Sequence, residues 1–256
     1  VPSNICIWCL QGSEEKNEEH IIPEALGCPS GFVLPGTIVC RKCNNGLSHL
    51  DSAVIDDFDF SILMAGIKRK KGRLPEIRSR GNVIGTIERE GPVIFFNMDP
   101  IPTAAHDGSY LAPYKGSNRN IMPKITKNEN LTKINFEVQF GQNRKFLRGI
   151  VKIAFSSLAY FLGANIARSR KFSAIRNFVR HGKGERHALI MSSEDSNYLN
   201  RAWPPYITES GDYVVALRLA SMEFLIDLSE DESQIKIIQN QANKYLGNRA
   251  WYILPS

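Results

Sequence analysis

The sequence predicts an α+β chain in two parts: a small cysteine-rich module over residues 1–60 and a larger mixed α+β domain over 61–256. Three observations lead there. Four of the five cysteines form two Cys-x-x-Cys pairs, Cys6/Cys9 and Cys40/Cys43, near the start of the chain. One long segment, Arg144 to Leu162, repeats apolar residues at helical spacing. The other apolar runs are strand-length blocks separated by stretches rich in Gly, Pro, Asn and Ser. A chain of 256 residues can bury a sizeable core.

The cysteines come first in the chain and in the argument. Two residues between thiolates let both sulfurs of a tight turn face one tetrahedral ion at about 2.3 Å. Two such pairs, separated by roughly thirty residues, fit a closed four-cysteine zinc site better than a redox motif. Disulfides are disfavoured in a reducing cytosol. Four protein ligands leave no open position, so this zinc is expected to be structural. Cys28 is left without an assigned role.

Between the pairs, Glu18-Glu19-His20-Ile21-Ile22 reads as a short strand halted by Pro23. Neighbours in a strand point to opposite faces, unless a bend or bulge turns both towards one cleft. After the second pair, a helix is expected from Asn44. Leu47, Leu50 and Val54 then form its buried stripe, and Asn44, Ser48 and Asp51 line another face. Gly46 opposes this helix by up to about 1 kcal/mol.

Charge is segregated along the chain. The first sixty residues carry Glu14, Glu15, Glu18, Glu19, Glu24, Asp51, Asp56, Asp57 and Asp59 against Lys16, Arg41 and Lys42. A basic run follows from Lys68 to Arg80, and Arg144 to Lys183 contains no Asp or Glu. Within a net charge of +6, this pattern suggests a polyanionic partner on the basic parts and a cation site in the acidic part. Solvated basic faces are the competing reading. No apolar run reaches the roughly 18 residues of a membrane span, and the first residues lack the pattern of a signal peptide. The expected location is the cytoplasm, without membrane association.

The segments Cys-Ile-Trp-Cys, Glu-Glu-His-Ile-Ile-Pro and Cys-Arg-Lys-Cys-Asn, in that order over about residues 6–51, resemble the zinc-containing HNH endonucleases of the ββα-metal fold. The resemblance implies that His20 is the general base, that Glu19 and Asn44 ligate a catalytic divalent ion, Mg²⁺ or Mn²⁺, and that the four cysteines hold structural Zn²⁺. The chain departs from the family at two points. The family's middle Asn falls near Pro35, and Glu19 replaces the commoner Asp. Asp51 and His49 are reserve ligands, the latter four residues after Asn45.

The chemistry suits these residue types. A histidine with a reference pKa of about 6.5 can take a proton from water at neutral pH. A hard divalent ion polarises a phosphoryl oxygen and stabilises the departing oxygen. The family implies products with a 5′ phosphate and a 3′ hydroxyl. The expectation is therefore an endonuclease that hydrolyses phosphodiester bonds of DNA, with RNA left open, in a setting such as restriction or defence against foreign DNA. A homodimer would serve if both strands are cut. The alternative is a zinc-ribbon module that binds nucleic acid without cutting it.

In the second part, Val83–Ile87 and Val93–Phe96 read as a hairpin around Glu90-Gly91, and residues 100–130 as irregular connection. Ile134 to Phe140 alternates like a strand. The helix from Arg144 to Leu162 sets an apolar stripe against Lys145, Arg148, Lys152 and Ser156, and Gly163 ends it. A shorter helix covers Ser173–Val179, with Arg176 and Arg180. Strands follow at Ala188–Met191, Tyr213–Leu219 and Glu223–Leu228. A last helix opens on Ser229 and Glu232 as a capping box and stops at Gly247, before a strand at Trp251–Leu254. The second part is expected to hold or select substrate, with Lys68, Arg69, Lys70, Lys71 and Arg73 gripping phosphates. Trp8, Trp203 and Trp251 are expected to pack rather than stack on bases.

Overall fold

The computed structural model describes residues 4–12, 17–64, 77–78, 84–90, 93–98, 122–128, 131–137, 141, 143–192, 199–220, 222–244 and 251–254. In chain order these form β1 (Glu18–His20), β2 (Val33–Pro35), α1 (Arg41–Met64), β3 (Ile77–Arg78), β4 (Ile84–Glu90), β5 (Val93–Met98), β6 (Met122–Asn128) and β7 (Leu131–Glu137). Then come α2 (Arg144–Leu162), α3 (Ala164–Ala167), α4 (Ser173–His181), β8 (Ala188–Ser192), β9 (Arg201–Ala202), β10 (Tyr206–Ile207), β11 (Tyr213–Leu219), β12 (Met222–Asp227), α5 (Ile235–Asn243) and β13 (Tyr252–Leu254). The mixture of helix and sheet is the α+β class that the sequence indicates.

Two compact units result, and they cut the chain differently from a single boundary at residue 60. One unit comprises Val1–Ile55 together with Asn143–Ser256; the other is Asp56–Gln142. The cysteine-rich module thus shares a core with the C-terminal half. In the second unit, β3, β4 and β5 form an antiparallel sheet and β6 pairs with β7. The hairpin expected around Glu90-Gly91 is the β4–β5 pair. The strand expected at Ile134–Phe140 begins earlier, at Leu131, and its partner β6 lies inside the stretch read as irregular. Within this unit the Gly141 amide donates to the buried Asp57 carboxylate at 2.9 Å.

The first unit is built around α2. Its ends follow local rules: Asn143 accepts from the Lys145 amide at 2.9 Å as N-cap, and Gly163, at φ 90°, closes it. Between them α2 is buried almost all round. Phe146, Leu147, Ile150, Val151, Ile153, Ala154, Phe155 and Leu158 are inaccessible, and so are Lys152 and Ser156. The polar face expected at Lys145, Arg148, Lys152 and Ser156 is therefore only partly a solvent face. A helix apolar over most of its circumference belongs in the centre of a unit.

α2 meets α1 where Gly149 leaves room. A Cβ added there would lie 2.4 Å from Val54 Cγ2 and 2.9 Å from the Leu50 carbonyl oxygen. On other sides Phe155 meets Trp8 edge-on with centroids 5.0 Å apart, and Phe146 meets Phe224 of β12 at 6.2 Å. A six-stranded antiparallel sheet carries the order β10-β11-β12-β8-β13, with β9 paired to β11. α5 packs on it through Ile235, which clusters with Leu189, Met191 and Trp251. The start of α5 is not the expected box of Ser229 and Glu232. Asp227 instead accepts from the Ser229 and Gln234 amides, while Glu232 binds the amide and Nδ1 of His187. The expected stop at Gly247 lies outside the described residues.

Arginines stitch the first unit together through backbone carbonyls. Arg168 donates to Ile5, Arg148 to Val179, Arg176 to Ala167 and Ser169, Arg180 to Trp8, and Arg186 to Ser229 and Glu230. Much of the acid-free stretch from 144 to 183 is thus committed inside the fold rather than offered as a free basic face. Among the described residues no helix is long and apolar enough to cross a membrane.

The contact at Gly149 yields a direct test. Gly149→Ala should destabilise the unit by about 1–3 kcal/mol, because the added methyl meets a backbone oxygen that a rotamer change cannot move. A urea melt followed by circular dichroism measures it; an unchanged midpoint would mean that the helices do not approach this closely.

Candidate active site

The site starts from sulfur. The Sγ atoms of Cys6, Cys9, Cys40 and Cys43 all lie within 4.8 Å of one another, with Cys9 and Cys40 at 3.8 Å. A tetrahedron with metal–sulfur bonds of about 2.3 Å has edges of about 3.8 Å, so the quartet fits zinc. The Trp8 amide points at the Cys6 sulfur and the Cys43 amide at the Cys40 sulfur, both at 3.4 Å. A hydrogen bond from Cys43, working against burial, holds the Cys6 thiol down to about 4, and the same contact pushes Cys43 up. A dipositive ion held by the four sulfurs would displace their protons. Cys28 stays apart, half-buried, with its thiol donating to the Phe32 carbonyl.

The sulfur knot fixes the start of α1. The helix begins at Arg41, three residues earlier than expected, so Cys43 and Asn44 sit in its first turn. Leu47, Leu50 and Val54 are buried as the expected stripe. Gly46 lies on an open side where a Cβ would meet nothing, so its cost is limited to helix propensity.

β1 pairs with β2 in regular antiparallel register, Glu18 opposite Pro35, Glu19 opposite Leu34 and His20 opposite Val33. No bulge interrupts it. Its burial therefore alternates: Glu18 and His20 are exposed, and Glu19 is buried. His20 and Glu19 lie on opposite faces of the strand. The His20 ring has no hydrogen-bond partner among the described residues. Asn44 Nδ2 donates to the Glu18 carbonyl at 3.0 Å, tying the first turn of α1 to β1 and orienting the amide. Its Oδ1 is left available.

Glu19 is bound on one side only. Its Oε1 lies 3.3 Å from Lys152 Nζ and accepts from the Ser156 hydroxyl at 3.2 Å. Lys152 Nζ also reaches both oxygens of Asp51 at 2.9 Å. Lys152 and Glu19 are fully buried, while the Asp51 side chain keeps 22% of its surface. Burial pushes the Glu19 carboxyl up and Lys152 only partly offsets it. Burial alone would lower Lys152, but Glu19 and Asp51 outweigh it and hold the ammonium charged. With one cation shared between two carboxylates, the fully buried Glu19 is the one driven towards neutrality. Glu19 Oε2 is buried with no hydrogen-bond partner. What would satisfy an orphaned carboxylate oxygen at this depth is an ion or a proton.

The sequence reading thus places Asp51 near the site but misses Lys152 and Ser156. A signal was present: Lys152 and Ser156, at i and i+4, continue the row of Arg148 into the apolar middle of the helix, with no acid nearby in the chain. His49 bonds to the Gly46 carbonyl through Nδ1 at 3.0 Å, not to Asn45. The basic residues 68–73 lie outside the described residues. Beside the knot is a cavity of about 770 Å³ whose lining includes Lys42, Arg180 and His181 and, among the described residues, no carboxylate. Trp8 and Trp251 are buried, and Trp203 is flanked by the guanidiniums of Arg201 and Arg218.

With a two-strand hairpin, a helix and a four-sulfur knot, this segment has the architecture of a zinc-stapled ββα module. Residues 6–59, roughly a fifth of the chain, match the model of the HNH endonuclease family. Neither a curated protein nor a solved structure matches the chain. The likeness to HNH endonucleases is confined to that segment.

Replacing a sulfur tests the knot. Cys43→Ser should abolish stoichiometric zinc, read by atomic emission spectroscopy. It should also shift tryptophan emission to the red as buried Trp8 becomes exposed. Full retention of zinc would sink the four-cysteine assignment.

Proposed function

We propose that this protein is a DNA endonuclease that hydrolyses phosphodiester bonds, with His20 as general base. The observation that carries this reading is the four-sulfur knot in a segment matching the HNH endonuclease family, with Asn44 of α1 tied to β1, the strand of Glu19 and His20. His20 turns an unpartnered imidazole to solvent, while its neighbour Glu19 turns inward with one oxygen unsatisfied. Glu19 Oε2 and Asn44 Oδ1 would hold a divalent ion, Mg²⁺ or Mn²⁺, whose chemistry is to polarise the phosphoryl oxygen. His20 takes the proton of the attacking water and passes it to solvent from its exposed position. The Asn44 amide is kept in one orientation by the Glu18 carbonyl. The sulfur knot holds helix and hairpin at fixed separation, which makes those positions reproducible.

Substrate contact is proposed for the cavity beside the knot, lined among the described residues by Lys42, His181 and Arg180, whose guanidinium also holds the Trp8 carbonyl. Lys68, Arg69, Lys70, Lys71 and Arg73 are proposed to add phosphate contacts. Cleavage of foreign DNA in restriction or defence is the proposed setting, in the cytoplasm, with a homodimer if both strands are cut.

Plasmid digestion in Mg²⁺ or Mn²⁺ tests the reading, with His20→Ala as the comparison. The variant should lose about 10²- to 10⁴-fold in rate while binding DNA as before in a gel-shift assay. If neither protein cuts DNA or RNA with any divalent metal yet both bind, the non-catalytic zinc-ribbon reading replaces this one.

A further inference from the structure

The family match ends at residue 59, yet the inward face of β1 is completed by side chains about a hundred residues downstream. We propose that Lys152 and Ser156 of α2 are positioning residues for the ion-binding carboxylate, clamping Glu19 Oε1 so that Oε2 alone faces the ion.

The geometry has three independent parts. First, both contacts from α2 fall on the same oxygen. Lys152 Nζ at 3.3 Å and the Ser156 hydroxyl at 3.2 Å engage Oε1, and neither engages Oε2. Two contacts on one oxygen fix the plane of the carboxyl group and leave Oε2 open to an ion or a proton. Second, Lys152 is itself held, by both oxygens of Asp51 at 2.9 Å, so its ammonium cannot swing to cover Oε2 without giving up that pair. Third, α2 is the central helix of the unit, with Val151 and Ile153 fully buried on either side of Lys152, so the clamp is as rigid as the core. Partners that hold a ligand's second atom fix its orientation, and their loss typically weakens ion binding by about 10- to 100-fold.

The consequence is that the HNH segment does not contain its whole active site. The working unit is Val1–Ile55 with Asn143–Ser256, and the residues that complete it lie outside the family match. This rests on the proposal that Glu19 ligates a divalent ion, and the test separates the two.

The probe is Mn²⁺ alone, added to full-length zinc-loaded protein and followed by loss of the six-line electron paramagnetic resonance signal of the free ion. Wild type should take up Mn²⁺, and Glu19→Gln should not. Lys152→Met should need at least ~10-fold more Mn²⁺ for the same uptake, and Ser156→Ala several-fold more, each with the circular dichroism of wild type. Should Lys152→Met fail to fold, Ser156→Ala carries the test, because it removes one hydrogen bond and leaves no charge uncompensated. Unchanged or tighter Mn²⁺ binding in Lys152→Met or Ser156→Ala, with loss in Glu19→Gln, overturns the clamp and leaves the ion site standing. Uptake by Glu19→Gln equal to wild type, or no uptake by wild type, overturns both.

Discussion

An ammonium buried between two carboxylates is the constraint around which the first unit is arranged. Lys152 lies in the middle of the most buried helix, Glu19 at the centre of β1, and Asp51 on α1. Charges taken out of water cost several kcal/mol each unless partners compensate them. The three groups therefore have to meet, and their meeting fixes where hairpin, first helix and central helix lie relative to one another. The close approach at Gly149, one turn before Lys152, brings α2 near enough to α1 for the ammonium to span the gap.

How much of this is legible in the sequence depends on whether the controlling interactions are local. The sulfur knot is legible, because Cys-x-x-Cys spacing expresses ligand geometry directly. So are both ends of α2, since Asn143 and Gly163 act within a turn of themselves. The buried stripe of Leu47, Leu50 and Val54 follows from helical period alone. What fails is long-range. Helical period assigns Lys152 and Ser156 to a polar face, and only the partners Glu19 and Asp51, far back in the chain, make that face an interior one. The start of α5 fails for a related reason, because Glu232 is drawn to His187 and Asp227 takes over the capping. The direction of Glu19 lies between these cases. Strand alternation forces it away from His20, but which of the two turns inward depends on what packs against β1.

Two kinds of fastening hold the unit, and they differ in chemistry. One is the carboxylate cluster at Lys152, which is near the site and has a vacant acceptor at Glu19 Oε2. The other is the set of guanidiniums seated on backbone carbonyls. Arg168 reaches back to Ile5 and Arg180 to Trp8, so the chain around the first cysteine pair is secured from two helices at once. These contacts explain why a stretch without acidic residues need not be a substrate surface. A peptide carbonyl can be the partner of an arginine as well as a carboxylate can.

Neither member of an arginine–carbonyl contact changes protonation in any range where proteins stay folded. Acidification that neutralises Glu19 would loosen the joint at Lys152 while leaving the guanidinium ties intact. The segment carrying the sulfur knot would then stay moored to its neighbours even as the interior of its active face relaxes.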